Sequence, residues 1–283
     1  MAEFSYNEAF QRNLGLLTLE EQEVLRQKTI AIPGMGGVGG IHFLSLVRQG
    51  FEKFKIADPD VFEIKNFNRQ IGANMNSIGR KKIEVMKEMA LQINPNCHIE
   101  TTEDRVHEQN LYAFLKGVDL AVDGIDAFEV DARRAFFNKA LELGIPVITA
   151  GPIGFSTAFL IFMPGGPSFD DYFAVNDDTP YMRKMISFLV GLTPALLQRT
   201  YMKKVSLKEK RGPSSVGSVD LCAGVVVIYA IKIFLNKGPI KAVPYYHQFD
   251  VMRDKYVVKR LWLGNRNPFQ KLKMKLIERM MPD

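Results

Sequence analysis

Five polar side chains stand at spacings that suit work on a nucleotide: Asp58, Asn66, Arg69, Lys82 and Asp126. Asp58 ends an apolar run, where a carboxylate can accept hydrogen bonds from ribose hydroxyls. Asn66, Arg69 and Lys82 follow as an amide, a guanidinium and an ammonium that can position and neutralise phosphates. Asp126 closes Asp123-Gly124-Ile125-Asp126 after a later apolar run, where a carboxylate can hold Mg2+ bridging phosphate oxygens. Together these are the groups that nucleotidyl transfer requires. Charge grows on the phosphoryl oxygens and on leaving pyrophosphate, and fixed cations stabilise it in a dry site. Arg80 and Lys81 flank Lys82, so the cation that meets the phosphates could slip along the chain. Asp60 reads equally as a loop cap, and Asp123 as a strand end or a helper of Asp126.

These groups need a frame, and the chain supplies one around Gly34-Met35-Gly36-Gly37-Val38-Gly39. The apolar run Thr29 to Ile32 precedes it, and Ile41, Leu44 and Val47 follow at helical spacing. The pattern predicts strand, glycine turn, helix. Gly34, Gly36, Gly37 and Gly39 would let backbone N–H groups and the helix N-terminus approach a phosphate. Up to Asp58 a nicotinamide-dependent oxidoreductase fits as well. Hydride transfer, however, needs no arginine and lysine converging on the phosphates, so Asn66, Arg69 and Lys82 favour nucleotidyl transfer.

Further along, strands are expected at Lys53 to Ala57, His98 to Thr102, Asp119 to Asp123, Ile145 to Ala150 and Phe155 to Met163. Helices are expected at Thr18 to Gln27 (with Thr18 and Glu21 as a capping box), Ser77 to Ile93, Glu108 to Lys116, Phe128 to Leu143, Met185 to Leu197 and Val219 to Leu235. The alternation predicts an α/β fold, a Rossmann-like and mostly parallel sheet with helices on both faces. Residues 1–165 form the nucleotide-binding part in this reading. Residues 166–283 add a basic crossover loop at Lys203 to Ser215, helices, and a C-terminal substrate and dimer part. Val219 to Leu235 reads as a core helix rather than a membrane span.

Composition narrows the field. Hydrophobic residues make up 47% and charged residues 24%, as in a soluble globular protein. Cys97 and Cys222 are the two cysteines, giving neither a disulfide framework nor a four-ligand zinc site, and a cytoplasmic location is expected with no signal peptide in view. The four histidines show no metal spacing. Net charge is +6, and nine Lys/Arg against four Asp/Glu fall between Asp250 and Asp283. Such a tail suits an acidic partner, tRNA or a membrane surface, although a solvated terminus explains it too. Lys271 to Met281 puts Leu272, Leu276, Ile277 and Met280 on one helical face, and docking on its own domain or on a dimer mate ranks above peripheral membrane contact.

The glycine loop, Asp58, the Asn66-x-x-Arg69-Gln70 element, Lys82, Ile93-Asn94-Pro95 and the aspartate pair ending at Asp126 together resemble the ThiF/MoeB/HesA (E1-like) adenylyltransferase superfamily. The resemblance is dense from Phe10 to Pro164 and looser from Pro213 to Leu235. It implies the E1-like adenylation fold with a C-terminal substrate-side extension, and ATP-dependent adenylation of a carboxylate with release of pyrophosphate. Asp58 would bind the ribose, Asn66, Arg69 and Lys82 the phosphates, and Asp126 the Mg2+. Family members borrow an arginine from the partner subunit's arm, and Arg12 matches that role, so a homodimer is implied. The zinc-binding cysteine pairs of many relatives are absent, and no zinc is expected. No cysteine lies in the crossover loop, and Cys222 reads as a small core residue rather than a thioester nucleophile. The expected substrate is the C-terminus of a ubiquitin-like or sulfur-carrier protein or a peptide. The alternative is a small-molecule or tRNA-linked carboxylate, as in tRNA threonylcarbamoyladenosine dehydratase, whose Asn-x-Asn-Arg-Gln-Ile element resembles Asn66 to Ile71. An inactive E1-like scaffold and an NAD-dependent oxidoreductase rank lower.

Overall fold

The computed structural model describes residues 3–203 and 212–279, which divide into two compact units. The first comprises residues 1–125 and 223–240, the second residues 126–222 and 241–283. The sequence division at residue 165 therefore falls inside the second unit. The reason is pairing: residues 147–162 form a hairpin whose second strand bonds to a strand far downstream.

The first unit begins with an arm, helix α1 (Tyr6–Ala9) and a 3-10 turn (Gln11–Asn13). Tyr6 donates its hydroxyl to Gly50 O at 2.6 Å, and Asn13 Nδ2 donates to Gln49 O at 3.1 Å and Gln22 Oε1 at 2.9 Å. Helix α2 (Leu19–Gln27) starts on the expected capping box, with Thr18 and Glu21 each accepting the other's backbone N–H. Strand β1 (Thr29–Pro33), helix α3 (Gly37–Arg48), strand β2 (Lys53–Ala57), helix α4 (Lys82–Ile93), strand β3 (His98–Thr102), helix α5 (Glu108–Leu115) and strand β4 (Leu120–Asp123) follow. The four strands run parallel in the order β3-β2-β1-β4, with Ile32 opposite Ile56 and Ile30 opposite Leu120. Ile30, Ala31, Ile32, Leu120, Ala121 and Val122 are wholly buried, the unbroken apolar run of a strand covered on both sides. Helix α4 starts later than expected. Residues from Ser77 to Lys81 form a turn region in which Ser77 Oγ accepts from Asn74 N at 2.8 Å.

The second unit holds helix α6 (Val130–Glu142), strands β5 (Val147–Ile153) and β6 (Ser156–Phe162), helices α7 (Phe169–Phe173) and α8 (Tyr181–Leu192), and the first turns of helix α9 (Val216–Leu235). Strands β7 (Tyr245–Asp250) and β8 (Lys255–Arg260) and helix α10 (Pro268–Arg279) complete it. Strands β5, β6, β7 and β8 pair antiparallel in that order. In this unit Phe137, Phe162, Phe169, Tyr172, Phe173 and Phe188 form a ring cluster with edge, tilted and stacked contacts of 4.4–6.3 Å between centroids. Helix α9 crosses from the second unit into the first at Cys222 and Ala223, and in the first Phe234 meets Phe51 at 5.9 Å. By length and a mean hydropathy of 2.0 it could span a membrane, yet Cys222, Val226 and Ala230 are buried. The expected crossover loop lies largely outside the described residues.

Candidate nucleotide site

Three parallel strands of the first unit, β1, β2 and β4, end side by side and deliver the glycine loop, Asp58 and Gly124 to one carboxyl edge. Gly34 has φ +88°, and a Cβ there would lie 2.2 Å from Gly124 O. A Cβ on Gly39 would lie 1.8 Å from Gly34 O. No side chain fits at either place, so the loop is folded against the end of β4 and the first turn of α3. Gly36 caps α3 with no side-chain hydrogen bond, which leaves the N-terminal N–H groups to an incoming anion.

Asp58 fixes this loop from below. Its Oδ2 accepts from Met35 N at 2.6 Å and its Oδ1 from Asp60 N at 2.8 Å. Burial pushes its carboxyl above the usual carboxylate range, and Lys82 and those two N–H groups oppose the shift. Lys82 opens α4 and is buried, with Nζ donating to Asp60 Oδ2 at 3.0 Å and lying 4.0 Å from Asp58 Oδ1. Its neighbours are drawn elsewhere: Arg80 donates to Glu88 at 2.5 Å and Lys81 to Glu103 at 2.5 Å, both on the surface. Of the three adjacent cations, Lys82 is the one beside Asp58.

The 61–78 segment brings in the remaining first-unit groups. Asn66 is buried in a 3-10 turn (Ile64–Asn66), its Oδ1 accepting from Glu63 N at 2.9 Å, so its amide NH2 is the part that can serve an anion. Arg69 is half-buried, its stem 3.6 Å from where a Gly37 Cβ would stand, and its guanidinium donates to Lys65 O and Asn68 Oδ1 at 3.1 and 3.0 Å. Gln70 lies under the loop, with Nε2 3.7 Å from a Gly36 Cβ position and a buried Oε1 lacking a partner. Sequence reasoning gave Gln70 and Gly124 no role and read Asp60 only as a cap. The Asp-Gly pair closing β4 was the available signal for Gly124.

Asp126 opens the second unit and is exposed. Its Oδ1 accepts from Phe128 N at 2.9 Å, and Arg133 donates to its backbone oxygen at 3.1 Å, so the carboxylate is held in a turn. Arg12 stands exposed on the arm, beside the Asn13 that is tied to Gln49 after the last turn of α3.

The model of the ThiF family matches residues 10–271. This chain belongs to the ThiF family. Among curated relatives, a probable molybdopterin-synthase adenylyltransferase of Porphyra purpurea is 28% identical over 264 residues, 90% of this chain and 65% of that protein. A tRNA threonylcarbamoyladenosine dehydratase of Haemophilus influenzae is 34% identical over 143 residues, 50% of this chain and 54% of that protein. The chain thus spans between about half and two thirds of the length of these relatives. The solved structure of Escherichia coli tRNA N6-threonylcarbamoyladenosine dehydratase in complex with ATP superposes with a TM-score of 0.63 at 21% identity, covering 84% of this chain and 98% of that one. That likeness shows the E1-like fold.

In this ThiF-family chain the cysteines are poor nucleophiles. Cys222 is wholly buried, with Sγ 3.1 Å from Thr157 Oγ1, and burial pushes its thiol up to about 12. Burial, with Glu52 nearby, pushes the Cys97 thiol up to about 12 as well.

Proposed function

We propose that this protein is an ATP-dependent adenylyltransferase that activates a carboxylate as an acyl-adenylate. The observation that carries the reading is the uncapped glycine loop, with no room for a Cβ at Gly34 or Gly39, and with Arg69 and the Asp58–Lys82 pair beside it. ATP suits this cradle: the helix N-terminus and loop amides meet phosphate, and Asp58 stands at the end of β2 for the ribose. The substrate carboxylate attacks the α-phosphorus, the bond to the bridging oxygen breaks, and pyrophosphate leaves with that electron pair. Lys82, Arg69, the Asn66 amide and the loop N–H groups stabilise the growing charge and hold the reactants in line. No side-chain nucleophile takes part, in keeping with two buried thiols.

Magnesium suits the donor set. Asp126 is an exposed carboxylate, an oxygen donor of the kind Mg2+ takes, and it would hold the ion with phosphate oxygens and water. The ion would supply further charge neutralisation at the phosphates.

The acceptor carboxylate is the C-terminus of a small carrier protein or a peptide, a reading supported by the molybdopterin-synthase adenylyltransferase relative. The second reading is a tRNA-linked carboxylate, favoured by the dehydratase relative and by the basic C-terminal region. ATP–pyrophosphate exchange with carrier proteins, peptides and tRNA added singly tests both. Exchange that needs none of them, or tight NAD(H) binding without ATP binding, rejects the proposal.

The working form is a homodimer with Arg12 acting on the partner's site. The arm geometry supports this: α3 is 12 residues long, hence about 18 Å, and the arm is tied past its far end from the glycine loop. That end of α3 lies opposite the loop, which favours service to a partner's site over service to its own. Exposed Leu14, Leu16, Leu19 and Val24 beside the arm are apolar surface suited to burial against a second copy.

A further inference from the structure

Helix α10 carries two apolar faces. One is buried in the second unit, where Met274 packs with Ile186 and Val190 and Gln270 Nε2 donates to Val190 O at 3.1 Å. The other points to water: Phe269 is 76% exposed, Leu272 56% and Leu276 48%, at i, i+3 and i+7 along one stripe. Immediately before the helix, Trp262 is 64% exposed and Leu263 49%. Among the described residues these five side chains remain about half exposed or more.

The loop that presents them is firmly built. Asn265 is wholly buried and donates Nδ2 to Phe173 O at 3.1 Å and Ser187 O at 2.7 Å. Gly264, at φ +54°, abuts Tyr172, where a Cβ would fall 2.3 Å from the carbonyl oxygen. Leu263 itself is held at φ 62°, a left-handed backbone that leucine rarely adopts. The fold therefore keeps an indole and a leucine in solvent on a fixed pedestal and accepts strain there.

Charge indicates what covers the stripe. Between Trp262 and Arg279 the only carboxylate is Glu278, which is half-buried and paired with Arg183. Arg266, Lys271, Lys275 and Arg279 are all exposed around the apolar groups. Aromatic rings at headgroup depth, aliphatic chains beneath and ammonium groups among phosphates are the chemistry of an anionic bilayer surface. The protruding anchors belong to this chain, and a fluid bilayer accepts them without a complementary groove.

We propose that the Trp262–Leu263 loop and the outer face of α10 bind an anionic phospholipid surface and hold the protein there through its second unit. The inference stands apart from the adenylation reading.

Trp262 is the single tryptophan of the chain, so its emission reports the contact directly. Mixing the full-length protein with vesicles of phosphatidylglycerol and phosphatidylcholine should shift the emission to the blue and carry the protein up in flotation. Phosphatidylcholine alone should do neither, and added salt should weaken the effect. Lys271→Gln with Lys275→Gln should lower partitioning about 25-fold, at about fivefold per cation. Phe269→Ser with Leu272→Ser should abolish it while circular dichroism is unchanged. ATP–pyrophosphate exchange without vesicles should match wild type in the Phe269→Ser, Leu272→Ser variant, which separates failure here from failure of the adenylation reading. The proposal is overturned by absence of shift and flotation on anionic vesicles, by equal binding to neutral ones, or by a shift produced only by an acidic polypeptide such as polyglutamate.

Discussion

Lys82 is held between Asp58 and Asp60, so a phosphate arriving at the glycine loop takes over a cation already in place. Removing it should strike the chemical step. Lys82→Ala is expected to lower exchange by roughly 10²–10³-fold, the usual loss for a preorganised electrostatic group; a variant within a few-fold of wild type would place the key charge elsewhere. Cys97→Ser and Cys222→Ala should leave exchange unchanged, because both thiols are held protonated by burial. An acyl adduct trapped on Cys222 would refute this. His42 tests burial itself. It is wholly enclosed in α3, neither ring nitrogen has a partner, and burial lowers its pKa to about 3. The unfolded chain, near 6.5, then binds the extra proton between those values, so His42 costs the fold stability increasingly as pH falls from about 6.5 toward 3. His42→Leu should be the more stable protein in urea, by more at pH 5 than at pH 7. Parallel pH slopes for the two proteins would show that His42 does not carry the effect.

Among the elements, the glycine turn is the least tolerant. Gly34→Ala meets both a left-handed backbone and the Gly124 carbonyl, so it should cost more than the ~1–3 kcal/mol of backbone strain alone and abolish ATP binding, as calorimetry would detect. The α2 cap is a milder case: Thr18→Ala should lower stability by about 1 kcal/mol in urea with exchange retained. Much of the first unit was legible because its signals are local. Strand β2 and the α2 capping box lie where the residue pattern puts them, and Asn94-Pro95 ends α4 as read. The second unit was less so. Strand β7 was missed because its pairing with β6 is nonlocal, and β8, which hairpins back on β7 as an edge strand, keeps Lys255, Tyr256, Lys259 and Arg260 exposed and shows little apolar pattern. Helix α8 begins at Tyr181 rather than Met185 because Pro180 caps it, and α7 was missed although Ser168 and Asp171 form a capping box. Beside the glycine loop, Asp58 and Arg69 stand where type and spacing led one to look for polar groups, with Lys82 next to Asp58. Gln70 and Asp60 were not legible, since only the folded loop shows what lies beneath the glycines.

For the whole molecule, the proposed role of Arg12 at a partner's site gives the sharpest test. Arg12→Ala and Asp126→Ala homodimers should each be nearly inactive. Mixed under subunit exchange they should regain roughly a quarter of wild-type activity, because about half the dimers are mixed and each holds one intact site. Background activity, with exchange verified by mass, would place Arg12 in cis or outside the reaction. The route of the chain between its two units has a separate consequence for biogenesis. The first unit is closed by residues 223–240, through Phe234 on Phe51 and Lys237 on Glu21 at 2.6 Å, yet these leave the ribosome after nearly all of the second unit's middle stretch. At bacterial to eukaryotic synthesis speeds that is a delay of the order of ten seconds. During it, a nascent chain with β1 to β4 already made still exposes the apolar surface destined for α9. Chaperone capture should therefore peak on ribosome-stalled chains ending near residue 222 and fall once residue 240 has cleared the exit tunnel.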